Sequence, residues 1–60
     1  MTPEEEIREL LSEVYLPEGV DIWIAAHNRN LGGRTARELL DAGDHEPVLA
    51  EAKMLAGGAW

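Results

Sequence analysis

Ser12, His27 and His45 are the side chains of this sixty-residue chain that nucleophilic or general-base catalysis would draw on. Their settings argue against that chemistry. Ser12 is the only serine and falls in a helical run between Glu9 and Glu13. The two histidines are separated by a turn and a predicted helix, which is not a metal-ligand spacing. The chain has no cysteine, so thiol catalysis, a thiolate-bound zinc and a disulfide are all excluded. Glu4, Glu5, Glu6, Glu9 and Glu13 crowd the beginning of the chain, but on a face that reads as solvated, where no pKa is tuned for acid–base work. Gly32-Gly33 follows no strand and lacks the rest of a phosphate-loop pattern. The sequence therefore assigns no catalytic, cofactor-binding or metal-binding residue and reads as a non-enzyme.

Binding chemistry is better represented. Arg29, Arg34 and Arg37 place three positive charges in one short segment of an acidic chain. One role for them is structural, through pairs with Glu38, Asp41 and the acidic first helix, each worth about 0–1 kcal/mol on a surface. The other is a docking patch, because arginine is favoured at interfaces. Trp60 follows Gly57, Gly58 and Ala59 at the end of the sequence. It is a large apolar group suited either to fold back onto the chain's own core or to plug into a partner. Together these give a candidate partner-binding set of Arg29, Arg34, Arg37, Gly57, Gly58, Ala59 and Trp60.

The net charge of −7 is uneven. Seven acids against Arg8 give Met1 to Asp21 a charge of −6, and five acids against four bases leave −1 for the rest. Such a surface repels phosphate and works against direct nucleic-acid binding. No apolar run approaches the ~18–20 residues needed to cross a bilayer, and an acidic beginning is the reverse of a secretory signal, so the expected location is the cytoplasm. A chain of this size buries only about 60% of its unfolded surface. A partner, either another protein or a second copy in a homo-oligomer, is the usual remedy for so small a core.

The elements that must carry these groups read as helices. Thr2, Pro3 and Glu5 make a capping box with proline at the first helical position. Ile7, Leu10, Leu11 and Val14 follow at helical spacing, and Pro17 and Gly19 are expected to stop that helix. Val20 to Asn28 is apolar and β-leaning by residue type, but no second run could pair with it, so it is expected to be a helix with His27 near its end. Asn30, Gly32 and Gly33 suit a turn with positive φ. Thr35 and Glu38 form a second capping box for a helix over about Ala36 to Ala42, ended by Gly43. Asp44 is expected to cap a last helix with Pro47 in its first turn and Val48, Leu49, Ala52, Leu55 and Ala56 on its inner side. The result is an all-α chain, a single domain over 1–60, built as a small bundle of about four short helices. Residues 1–19 form the acidic helix and turn, and 20–60 form the region with binding features.

From about Trp23 onward the chain resembles the toxin-binding domain of the Xre/MbcA/ParS antitoxins. The shared pattern runs through Trp23, Asn28, Leu31, Gly32, Gly33, Arg34, Thr35, Leu39, Leu40, Gly43, Val48, Leu55 and Gly57, with the LGGRT run as its most specific part. Ala36 stands where that family has proline, a replaceable feature of a first helical turn. The family's aromatic after the terminal glycine is displaced, and a single acidic helix stands where many relatives carry a DNA-binding helix-turn-helix. The resemblance implies an all-helical antitoxin that inhibits a toxin, typically a RES-domain enzyme degrading NAD, by bringing its C-terminal end to the active site. It implies no cofactor for the antitoxin itself. The competing expectation is a small non-enzymatic regulatory protein of a phage or mobile element that self-associates or binds a host protein.

Overall fold

Thr2 and Glu5 close a reciprocal cap: the Glu5 amide donates to Thr2 Oγ1 at 3.2 Å and the Thr2 amide donates to Glu5 Oε1 at 3.0 Å. With Pro3 in the first position, this starts helix α1 (Pro3–Leu11). It is the first of four α-helices in the computed structural model, which describes residues 2–57. Ile7 and Leu11, one helical turn apart, are fully buried, and Leu10 beside them is half-buried.

Val14 does not extend this stripe. α1 stops at Leu11, the Val14 and Tyr15 amides both donate to the Leu11 carbonyl, and Val14 is 47% exposed. Pro17 plays a different part from the one its type suggests. Leu16 is extended, as a residue before proline must be, and Pro17 then opens helix α2 (Pro17–Ala25) with a preset φ and no amide to satisfy. Gly19 sits inside α2, with the Tyr15 side chain lying against it. Thus Pro17 and Gly19 begin an element rather than end one.

The helix expected across Val20 to Asn28 is present, but it ends at Ala25. Ala26 turns extended, and His27 forms an isolated antiparallel bridge with Thr35. The chain between these two residues closes on itself. The Asn28 amide donates to the Arg34 carbonyl at 3.0 Å, and the Gly33 amide donates to the Asn28 carbonyl at 2.9 Å. Inside lies one 3₁₀ turn (Arg29–Leu31), a short element the sequence patterns do not signal. Gly32 and Gly33 hold φ of 71° and 81°, where a Cβ would be strained although nothing lies near enough to clash with it. Asn30 does not share their conformation; no described residue other than glycine has positive φ.

Thr35 and Glu38 cap helix α3 (Ala36–Asp41) as their spacing requires, at 3.0 Å and 2.8 Å. Its far end is a Schellman turn. Gly43, at φ 81°, donates to the Leu40 carbonyl, and Asp44 donates to the Leu39 carbonyl. Helix α4 (Glu46–Gly57) starts one residue later than a cap at Asp44 would give, so His45 occupies the preceding position and its carbonyl takes the Leu49 amide. Val48 and Ala52 are buried and Leu49 and Ala56 half-buried, whereas Leu55 lies at the margin, 37% exposed.

α1 packs most extensively on α4, and α2 on α3. Between the helices lies one core of Ile7, Leu11, Val20, Ile24, Leu31, Ala36, Leu39, Val48 and Ala52, with Leu10, Trp23, Leu40 and Leu49 at its edge. The fold is all-α, with no strand among the described residues. No helix among them is long and apolar enough to cross a membrane.

Candidate functional site

The segment 27–38 is closed by a dense set of backbone and side-chain hydrogen bonds. Its backbone is closed by the Asn28, Leu31, Gly32, Gly33 and Arg34 amides. The Asn28 side chain accepts from the Asn30 amide at 2.9 Å. His27 Nδ1 lies 2.8 Å from the Gly33 carbonyl. A carbonyl only accepts, so Nδ1 carries the proton and the ring staples the turn. His27 is therefore a turn residue placed beyond α2 rather than at the end of that helix. Two anchors tie the turn to the body: Leu31 is buried in the core, and Asn30 Nδ2 donates to Glu51 Oε2 of α4 at 2.6 Å.

Arg29 and Arg34 are exposed on this turn and make no ion pair among the described residues. Their main chains, by contrast, are fixed: the Arg29 carbonyl takes the Gly32 amide and the Arg34 carbonyl takes the Asn28 amide. Two cations are thus held on a rigid base with their side chains uncommitted. Arg34 lies close enough to Glu38 to help lower its pKa, although the capping hydrogen bonds with Thr35 are the larger cause.

Arg37 is occupied. Its Nη1 donates to Glu4 Oε1 at 2.9 Å and its Nη2 to Glu4 Oε2 at 2.7 Å, a two-pronged clamp between α3 and α1. Asp41 adds a longer contact at 3.4 Å. Glu4 also accepts from Arg8 Nε at 3.2 Å, and Arg8 Nη1 reaches Asp21 of α2 at 2.8 Å. The chain of charges Asp21–Arg8–Glu4–Arg37–Asp41 therefore crosses three helices. The hydrogen bonds from Arg37 first, then Arg8, pull the Glu4 carboxyl from 4.5 down to about 2. The guanidinium of Arg37 is in turn held charged more firmly than usual, chiefly by Glu4. At 41% and 35% exposed, Arg37 and Glu4 remain open to solvent, which limits the pair to about 1 kcal/mol.

The structure thus divides the three arginines. Arg37 is paired with Glu4 and Asp41, while Arg29 and Arg34 make no ion pair among the described residues. The Glu4–Arg37 and Asn30–Glu51 links join residues far apart in sequence and leave no local pattern. A sequence signal for them exists only in the general form of opposite charges awaiting partners.

Gly57 is exposed as the last residue of α4. Gly58, Ala59 and Trp60, the remainder of the predicted binding end, lie outside the described residues. Ser12 donates its hydroxyl to the Glu9 carbonyl at 2.6 Å, a bond typical of a helix end. No cluster of histidine, aspartate and glutamate among the described residues is arranged to hold a metal ion. A hollow of about 180 Å³ beside α1 is lined by Glu6, Glu9, Leu10 and Glu13. It is smaller than the ~300–1,000 Å³ that small-molecule sites occupy.

Compared with family models, with curated proteins and with solved structures, the chain matches none.

Proposed function

We propose that the chain is an antitoxin-like protein-binding module that neutralises a partner enzyme, of the RES type that degrades NAD, by occluding its active site. The observation that carries this reading is the construction of the turn. The LGGRT run folds into a pinned platform in which Gly32 and Gly33 supply the backbone signs, Thr35 starts the next helix and Leu31 anchors it, while Arg29 and Arg34 stay uncommitted. A rigid base lowers the entropy lost when long side chains are immobilised on binding. In this reading Arg29 and Arg34 meet the rim of the enzyme, and Gly57, Gly58, Ala59 and Trp60 are the end that enters its cleft. Arg37 contributes by clamping α3 to α1. The acidic surface steers encounter with a basic partner.

Co-expression with a RES-domain toxin tests the proposal. The full chain is expected to restore growth. A chain lacking Gly58 to Trp60 is expected to fail while keeping its helical circular dichroism. Full rescue by that truncated chain would overturn the occlusion mechanism.

A further inference from the structure

Helix α2 is apolar nearly all round, yet the fold covers it on one side. Val20 and Ile24 are buried, and α2 packs mainly on α3. Ile22 lies about 200° around the helix from Val20 and is 68% exposed. Gly19 and Ile22, both in α2, lie close to one helical turn apart and share a flank. Tyr15 rests on Gly19, and Leu16, just before α2, is 74% exposed. Apart from the sector carrying Glu18 and Asp21, α2 is apolar, and so wide an apolar arc is normally enclosed. Here a second apolar strip faces outward.

Charge decides what fits it. Glu13 and Glu18 are exposed beside the strip and make no ion pair among the described residues. Asp21, also adjacent, is matched by a single arginine, Arg8. A second copy of this chain, docked symmetrically, would set these carboxylates against their own counterparts. A partner with an apolar centre and a lysine- or arginine-bearing rim would neutralise them instead. We infer that the outer face of α2, with the turn before it, is a docking surface for a protein of that chemistry. It uses none of the residues assigned to the antitoxin-like role, so it stands or falls separately from that role.

Two synthetic helical peptides test it on the full chain, both with the same leucine face, one with lysine and one with glutamate on the polar face. Amide chemical shifts report where each binds. The lysine peptide is expected to move the signals of Tyr15 to Ala26 and to bind at least about tenfold more tightly than the glutamate peptide. Ile22→Ser should abolish this binding with the helical dichroism intact, and Glu18→Lys should reverse the preference between peptides. Equal affinity for the two peptides, absence of binding, or shifts confined to other helices would overturn the inference. So would a dimer in sedimentation that Ile22→Ser dissolves, because the strip would then belong to a second copy.

Discussion

The turn over 27–38 and the outward strip of α2 are neighbours in sequence and opposites in construction. In the turn, backbone and side chains bond to one another, and what remains exposed is charge: Arg29 and Arg34. In the strip, the backbone is satisfied by its helix, and what remains exposed is apolar surface: Leu16 and Ile22. The first region shows how a short segment becomes rigid without a large core, through caps, two glycines and two anchors. The second shows that a chain this small does not enclose all the apolar residues it carries.

Five substitutions sharpen this contrast. Leu31→Ala removes the anchor of the turn and should cost about 2–5 kcal/mol, measured by urea unfolding, because it empties part of a small core. A loss under about 1 kcal/mol would mean that the turn is held by its hydrogen bonds alone. Gly33→Ala should cost about 1–2 kcal/mol through backbone strain at φ 81°, with no clash involved. An alanine variant as stable as the parent would show that the turn adopts a different backbone in solution.

The clamp between α1 and α3 should give a smaller, pH-dependent effect of about 1 kcal/mol or less. The folded chain holds Glu4 at about 2, below its ordinary value of 4.5, so folding favours the ionised form. That contribution is complete above pH 4.5 and disappears as pH falls toward 2. Thermal melts across this range should therefore lose more stability in the parent than in Glu4→Gln. Parallel curves for the two would remove the clamp from the account. The smallest effect is expected at Ile22. Ile22→Ala should change stability by no more than about 0.5 kcal/mol. Ile24→Ala, the same change two residues along on the buried side, should match Leu31→Ala. Equal losses at the two isoleucines would mean that the outer strip is covered.

Features that depend on near neighbours were legible in the sequence. Both capping boxes form, Gly32, Gly33 and Gly43 hold the conformations glycine permits, and the four expected helices are present, with α2 shifted to Pro17–Ala25 and α4 starting at Glu46. Pro17 was misread because proline both ends and begins helices. Which it does depends on where α1 has already stopped, and that is set by Leu11 reaching the core. Val14 departs from the expected stripe because the apolar spacing runs on past Leu11, where α1 stops, and the exposure of Ile22 has no sequence signal because apolar residues on both sides of α2 do not show which side is covered. The assignment of arginines was open for a related reason: the choice of Glu4 by Arg37 depends on α1 crossing α3. The end segment from Gly58 to Trp60 rests on the sequence reading alone.

The most direct test of the central claim is a titration of a purified RES-domain toxin with the full chain, following NAD consumption. The account predicts that NAD degradation falls to background near one chain per toxin active site, and that Arg29→Glu with Arg34→Glu shifts the curve to higher concentration. Undiminished NAD degradation at a large excess of the chain would contradict it.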